Sequence, residues 1–259
     1  MNEIIKPSEL ILNDDGSIYH LHLLPEQIAD TIITVGDPDR VEKVSKYFDK
    51  IEHKIQKREF VTHTGYIGNK RLTVISTGIG TDNIDIVINE LDALVNIDLH
   101  TRQIKKDKKS LNIIRIGTSG TLQGEIDVDS IVLSSFGLGL DGLMNFYVSH
   151  NSDEEEEILL KINKAVELPI KPCIAKGSEF LLNQIKTDST YTGITISATG
   201  FYGPQGRTLR MQPKVANFID ELAQLKFDNN ERITNLEMET SAIYGMGKVL
   251  GHHCLSVNT

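Results

Sequence analysis

The sequence TIITVGDPDRV at residues 31–41 joins a strand-like run to the start of a helix. Its first five residues, Thr31 to Val35, are mostly β-branched or apolar, a composition that favours a buried strand. Asp37 is suited to an N-cap and Pro38 to the first helical position. The helix that follows would present an apolar face formed by Val41, Val44 and Phe48. The stretch therefore predicts a strand that leads directly into a helix, as in α/β folds.

The same alternation continues along the chain. Further strands are predicted at residues 72–76, 111–116, 127–134 and 194–198, and further helices at residues 84–95, 152–166 and 242–250. The acidic run at residues 153–157 is predicted to be a solvated face at the start of its helix. The basic run at residues 102–109 is predicted to be an exposed loop or helix end. This order of elements favours a parallel or mixed sheet covered by helices.

Composition limits the classes of function. The chain has 259 residues, 39% hydrophobic and 24% charged, which is ordinary for one globular α/β domain. Its formal net charge of −9 argues against a nucleic-acid partner, because phosphate backbones require a basic surface. No signal peptide or membrane-spanning run is recognisable, so a cytoplasmic protein is expected. Cys173 and Cys254 match no metal spacing and are expected to be reduced thiols, and the adjacent His252 and His253 lack the spacing of helical metal ligands.

The sequence NLEMETSA at residues 235–242 contains two carboxylates that flank one methionine. Glu237 and Glu239 could accept hydrogen bonds from vicinal hydroxyls, while the thioether of Met238 lies against a sugar face. The alternative is that the two carboxylates only complement the N-terminus of the helix predicted to follow.

Two segments suggest an anion site. Gly36 and Arg40 lie at the strand-to-helix junction, where helix N–H groups favour anions, although simple capping by Asp37 explains the same residues. Arg115 lies within an otherwise apolar strand, so its guanidinium requires a partner. The sequence GTSG at residues 117–120 offers backbone N–H groups and hydroxyls to an anion. A salt bridge to a local carboxylate is the alternative for Arg115.

The sequence FYGPQGR at residues 201–207 offers the ring of Phe201, the amide of Gln205 and the guanidinium of Arg207. Such groups can stack on a planar heterocycle and hydrogen-bond to its edge. A plain turn built on glycine and proline is the alternative.

Together these segments resemble the nucleoside phosphorylase family, and most closely its uridine phosphorylases. The segments that match the family in order include His20, residues 35–41, Arg58-Glu59-Phe60, residues 76–80, residues 115–120, residues 201–207 and Glu237-Met238-Glu239. The resemblance implies one domain over residues 1–259, with a three-layer α/β/α sandwich around a mixed, partly barrel-like sheet. It also implies that the family's C-terminal helix is missing here.

The resemblance assigns a role to each site residue. Phosphate would be held by Gly36, Arg40, Arg58, Arg115 and Thr118. Ribose would be held by His20, Glu237, Met238 and Glu239. The base would be held by Phe201, Gln205 and Arg207. Arg207, Glu239 and Arg115 would serve catalysis, because phosphate attacks C1′ as the glycosidic bond breaks and charge develops on the sugar and the base.

The resemblance also implies partners. The substrates would be a nucleoside and inorganic phosphate, with no redox cofactor. Arg58 and His20 would reach the site of a neighbouring subunit, so a homodimer with shared sites is expected, and hexamers would be built from such dimers. Glu59 matches a ligand of a monovalent-cation site found in some relatives, whereas Asn83 stands where a serine is expected, so a potassium ion is left open.

Three alternative functions remain. A purine nucleoside phosphorylase would use an aspartate near the chain end, where this chain has Asn258. A nucleosidase of the same fold has no use for the arginines at positions 40, 58 and 115. A non-catalytic nucleoside-binding protein is the third. In addition, the residues before Phe201 lack an aspartate that many relatives carry.

Overall fold

The computed structural model describes residues 4–228 and 231–259. The chain divides into two compact units. The first unit contains the residues up to Ile79 together with Asn83–Ile114. The second contains Gly80–Asp82 and Arg115–Thr259. That residues 1–259 form a single domain stays a prediction.

The first unit is built on one parallel pair and an antiparallel meander. Its elements are β1 (Thr31–Val35), α1 (Pro38–Ser45), β2 (Lys50–Lys57), β3 (Phe60–Ile67), β4 (Lys70–Ser76), most of α2 (Thr81–Asn96), β5 (Ile97–Asp98), β6 (Gln103–Ile104) and the start of β7 (Asn112–Gly117). Strand β1 is parallel to β4, with Ile32 opposite Thr73. Strands β2, β3 and β4 are antiparallel neighbours. The predicted strands at residues 72–76 and 111–116 and the predicted helix at residues 84–95 are therefore present, with each end within three residues of its predicted position.

The junction quoted above folds as predicted. Strand β1 ends at Val35, and a carboxylate oxygen of Asp37 accepts a hydrogen bond from the backbone N–H of Asp39 at 2.9 Å. Helix α1 begins at Pro38 but ends at Ser45, so Phe48 follows the helix instead of belonging to it. Phe48 nevertheless joins the apolar cluster with Val35, Val41 and Val74.

The second unit contains a mixed sheet with strand order β13-β9-β11-β12-β8. Its elements are the end of β7, β8 (Gly120–Thr121), β9 (Ile131–Leu140), α3 (Asp153–Ala165), β10 (Cys173–Lys176), α4 (Glu179–Ile185), β11 (Thr190–Ala198), α5 (Phe218–Ala223), β12 (Ile233–Glu237), α6 (Thr240–Leu250) and β13 (His253–Asn258). Strands β9, β11 and β12 are parallel, while β10 and β13 pair antiparallel with β9. Both units thus contain parallel and antiparallel pairs, as the predicted mixed α/β class requires.

Helix α3 corrects one expectation. Its start is a capping box, since the Ser152 hydroxyl accepts from the N–H of Glu155 and the Glu155 carboxylate accepts from the N–H of Ser152. The acidic run was predicted to be solvated, but Glu155 is only 1% exposed. Its carboxylate also accepts from the backbone N–H of Lys176 at 2.9 Å and from the ammonium of Lys248 at 2.5 Å, which explains why it is buried.

Three other predicted segments differ in extent. The strand predicted at residues 127–134 begins only at Ile131, because Asp129 has a φ of +69° and a turn joins the N–H of Ser130 to the carbonyl of Asp127. Helix α6 begins at Thr240, two residues earlier than predicted, and buries eight successive residues, Thr240 to Gly247. The basic run at residues 102–109 contains strand β6 before its exposed loop. No helix in the described part of the chain is long and apolar enough to cross a bilayer.

Candidate active site

A buried ion cluster lies where strand β7 ends and helix α6 begins. The guanidinium of Arg115 contacts Glu239 Oε2 at 2.6 Å and Glu237 Oε2 at 3.1 Å through Nη2. Its Nη1 donates to Asn258 Oδ1 at 2.7 Å. All four residues are at most 7% exposed. The predicted requirement for a partner is therefore met by carboxylates that lie more than a hundred residues along the chain, not by a local one.

The electrostatics of this cluster follow from burial and charge. Burial alone would lower the pKa of Arg115, but the carboxylates of Glu237 and Glu239 outweigh it and raise that pKa. Burial, together with the charge of Glu237, raises the pKa of Glu239 although Arg115 opposes this. Glu239 Oε1 also accepts from the backbone N–H of Gly80 at 2.8 Å, next to the start of helix α2. The charge of Glu239 is thus costly to maintain in this buried cluster.

Gly117 makes room for the guanidinium. A Cβ placed on Gly117 would lie 2.0 Å from Nη1 of Arg115 and 2.4 Å from its Cζ. Real side chains do not approach so closely, so only glycine permits the Arg115 side chain to fold back over residue 117.

Glu237 also serves the start of helix α6. Its carboxylate accepts from the backbone N–H groups of Glu239 and Thr240 at 2.9–3.1 Å and from the hydroxyl of Ser197 at 2.6 Å. Glu237 therefore complements the N-terminus of helix α6, as the alternative interpretation describes, and its role in ribose binding stays a prediction. Met238 is half-buried between the two glutamates.

The predicted base-binding residues are brought together in a tight turn. Gly203–Gln205 form one turn of 3₁₀ helix, and Gly206 follows with a φ of +74°. The guanidinium of Arg207 lies 4.1 Å from the centroid of the Phe201 ring and donates to the Gln205 side-chain oxygen. Gln205 is buried, while Phe201 is 52% exposed. The turn thus brings the Arg207 guanidinium into contact with both the half-exposed Phe201 side chain and the Gln205 amide.

The first unit holds the remaining predicted residues. Arg40 is half-buried, and a Cβ placed on Gly36 would lie 3.3 Å from its Nη2, so the guanidinium folds over the β1–α1 junction. Arg58 is exposed at the tip of the β2–β3 hairpin with a φ of +54°. Glu59 follows it, and its carbonyl accepts from the Ser76 hydroxyl at 2.5 Å.

His20 is held by a residue that the sequence did not suggest. Its Nδ1 lies 2.6 Å from Glu90 Oε1, and the same carboxylate accepts from the N–H groups of His20 and Leu21 at 2.8–3.0 Å. Glu90 therefore fixes both the imidazole and its backbone.

Several other polar residues were missed because their partners are remote in sequence. The Ser197 hydroxyl contacts Glu237, and Asn235 contacts Ser119 beside the predicted Thr118, only because the fold brings them together. Asn258 was considered from the sequence only because a purine nucleoside phosphorylase would have an aspartate there. No residue near Asn258 in the sequence indicates that it accepts a hydrogen bond from Arg115. Thr118 is exposed in the connection between β7 and β8, and its side chain has no hydrogen-bond partner in the part of the chain that the structure describes.

Comparison with known proteins identifies the family of this chain. Residues 30–259 match the model of the phosphorylase superfamily. The chain is 28% identical over 243 residues to a uridine phosphorylase of Thermococcus kodakarensis, an alignment that covers 92% of this chain and 74% of the relative. It is 24% identical over 245 residues to a purine nucleoside phosphorylase of Bacillus velezensis, covering 93% and 85% of the two chains.

A solved crystal structure of a nucleoside phosphorylase is similar to this chain in its fold. A Trypanosoma brucei nucleoside phosphorylase that shows uridine phosphorylase activity superposes with a TM-score of 0.87 at 31% identity, covering 96% of this chain and 89% of that one. The similarity confirms the predicted fold class, a mixed α/β fold with a large central mixed sheet.

Proposed function

Because the chain belongs to the phosphorylase superfamily, we propose that it is a uridine phosphorylase. It would catalyse the reversible reaction of uridine with phosphate to give uracil and ribose 1-phosphate. The observation that carries the choice of base is the turn at residues 201–207, in which Arg207 contacts both the Phe201 ring and the Gln205 amide. Two of the three relatives named above support the same choice, since the T. kodakarensis protein is a uridine phosphorylase and the T. brucei protein shows uridine phosphorylase activity.

The carboxylates of the ion cluster would hold the sugar. Glu239 would accept hydrogen bonds from the ribose hydroxyls, and the Met238 side chain would lie against the sugar. Glu237 contributes mainly by fixing the start of helix α6, since its oxygens already accept from backbone N–H groups and Ser197. His20 would contact the ribose through Nε2, because Nδ1 is engaged by Glu90.

Phosphate would be bound by Gly36, Arg40, Arg58, Arg115 and Thr118. The ion cluster holds one guanidinium and two carboxylates, so it carries no positive excess that could balance a phosphate dianion. The proposal therefore depends on Arg40 and Arg58 for most of the charge compensation.

The chemical step follows from these assignments. A phosphate oxygen forms a bond to C1′ as the bond from C1′ to N1 of uracil breaks, and the electron pair leaves with the base. Arg207 would stabilise that developing negative charge, and Gln205 would hold the base edge. The ionised carboxylate of Glu239 would favour the positive charge that develops on the sugar.

A purine substrate is less well supported. The side chain of Asn258 is fully buried, and it is engaged by Arg115, Ser134 and Ser256. It therefore has neither the acidity nor the freedom to protonate a departing purine.

The proposal includes assembly. Arg58 and His20 would complete the site of a neighbouring subunit, giving at least a twofold dimer with shared sites. Hexamers would form from such dimers.

The deciding experiment measures uracil released from uridine with and without added phosphate. We expect release only with phosphate, accompanied by formation of ribose 1-phosphate. Equal release in phosphate-free buffer would indicate a nucleosidase. Release of base from inosine but not from uridine would indicate a purine enzyme, and uridine binding without turnover of either nucleoside would indicate a binding protein.

A further inference from the structure

A line of buried polar side chains crosses the sheet of the second unit and begins at the ion cluster. Arg115 Nη1 donates to Asn258 Oδ1 at 2.7 Å. The Nδ2 of Asn258 then donates to the hydroxyl of Ser134 on β9 at 3.0 Å. Asn258 and Ser134 are both fully buried, so these bonds are made without water.

The line continues through the next two strands. The hydroxyl of Ser134 lies 2.5 Å from that of Thr195 on β11, and the Thr195 hydroxyl donates to Asn235 Oδ1 on β12 at 2.8 Å. The Nδ2 of Asn235 donates to the hydroxyl of Ser119 at 2.8 Å. A register shift in the β11–β12 pair sets Thr195 opposite Asn235, which aligns these side chains.

Proton counting fixes the direction of every bond in this line. A guanidinium can only donate, and each hydroxyl has one proton. Since Thr195 gives its proton to Asn235, it must accept from Ser134, and Ser134 must accept from Asn258. The bonds therefore all point away from the charge of Arg115, so each polarises the next.

The line ends at Ser119, only four residues along the chain from Arg115, where it begins. Arg115 lies in β7, and Ser119 lies in the two-residue connection, residues 118–119, between β7 and β8. Because Ser119 Oγ accepts from Asn235, its own proton remains to be donated. Among residues 4–228 and 231–259, no acceptor is placed to receive that proton. Ser119 is only half-buried, and a Cβ placed on the neighbouring Gly120 would meet no atom within 4 Å.

We propose that Asn235 is a positioning residue that orients the Ser119 hydroxyl to donate to an oxygen of an inorganic oxyanion, phosphate in the proposed reaction. This inference rests on the proposed function for the identity of the anion. An amide at position 235 is needed because its N–H group donates to the Ser119 oxygen and leaves the Ser119 proton free for a ligand. An acceptor there would instead take the Ser119 proton and withdraw it from the ligand.

The test uses steady-state kinetics with uridine and phosphate varied separately. Asn235→Ala and Ser119→Ala should each raise the KM for phosphate about fivefold, the size expected for one lost hydrogen bond. The KM for uridine should change less than about twofold, because the loss is confined to the anion subsite. Ser119→Thr, which keeps the hydroxyl, should restore the phosphate KM.

A double variant isolates the coupling. If Asn235 acts through Ser119, then Asn235→Ala should raise the phosphate KM no further in a Ser119→Ala background. Asn96→Ala is the matched control, because Asn96 is also a buried asparagine that bonds to a side chain and to backbone, but in the first unit. It should lower stability without a selective change in the phosphate KM.

Each outcome decides the proposal. An unchanged phosphate KM in Ser119→Ala would overturn it, and this variant is informative even if Asn235→Ala does not fold. Equal changes in both KM values, or a double variant whose defects multiply, would also overturn it. Failure of the proposed function is distinguishable, because wild-type protein would then show no phosphate-dependent uracil release at all.

Discussion

Replacing Gly117 with alanine should break the ion cluster without touching a charged residue. The new methyl group would lie 2.0 Å from Arg115 Nη1, whereas real side chains stay at least about 3 Å from such an atom, so the guanidinium must move by about 1 Å or more. Arg115 is otherwise held at 2.6 Å from Glu239 and 2.7 Å from Asn258. Its displacement therefore leaves two buried carboxylates with weaker compensation.

The size of the effect follows from that loss. Removing one partner of a buried ion pair costs about 3–5 kcal/mol, and a displaced partner should cost toward the lower end, about 3 kcal/mol. For a chain of this size that corresponds to a melting temperature lower by roughly 6–12 °C. We expect this shift by differential scanning calorimetry, together with a loss of uridine cleavage, since Glu239 would lose its fixed position.

Two controls separate this cause from a general effect of alanine in the loop. Gly120→Ala lies three residues away, and its methyl group would meet no atom within 4 Å, so it should leave the melting temperature nearly unchanged. In an Arg115→Met background, Gly117→Ala should cost little more, because the group it displaces is already gone. Equal melting temperatures for Gly117→Ala and Gly120→Ala, or full additivity with Arg115→Met, would refute the reasoning.

Three further predictions concern the base, the pH and the assembly. Arg207→Ala should lower kcat/KM for uridine far more than it weakens phosphate binding, because charge reaches the base only in the transition state; weakened phosphate affinity with an unchanged kcat would place Arg207 in another subsite. Burial raises the pKa of Glu231 above its ordinary 4.5, so the stability it contributes is complete below that value and is lost as the pH rises through the raised pKa. The Glu231→Gln variant can keep the hydrogen bond from Ser135 but cannot ionise. In urea titrations its free energy of unfolding, relative to wild type, should therefore increase as the pH rises through this range. A difference that does not change with pH would contradict the raised pKa of Glu231. Mixing inactive Arg58→Ala and Glu239→Ala protomers should restore partial activity, because one site of a mixed dimer escapes both lesions; no recovery despite demonstrated subunit exchange would mean that each site is complete within one chain.

Local signals in the sequence were sufficient for the junctions between elements. Asp37 and Pro38 set the start of α1, and Ser152 with Glu155 set the start of α3, because caps are interactions between residues two or three apart. The extent of strand β9 was not predictable in the same way. Its start depends on the left-handed conformation of Asp129, and its later residues are buried from both sides by strands remote in sequence.

The chemistry of the candidate site was predictable by residue type, but its connectivity was not. A buried arginine in an apolar strand signals a partner, yet nothing near Arg115 identifies Glu239 or Asn258. The burial of Glu155 was missed for the same reason, since Lys248 lies 93 residues along the chain. Tertiary contacts decide which charged side chains are buried and paired, and a sequence pattern identifies only one member of such a pair.

The paired glutamates at the start of helix α6 differ in how their charges are compensated. Glu237 is enclosed by backbone N–H groups and the hydroxyl of Ser197, so its charge is compensated where it lies. Glu239 receives one backbone N–H from Gly80 and shares Arg115 with its neighbour, and burial raises its pKa. A carboxylate that is well compensated gains little from a ligand, whereas one that is poorly compensated gains most from hydroxyl donors. The asymmetry therefore supports the proposal that Glu239 is the main sugar-binding carboxylate, while Glu237 fixes the start of helix α6.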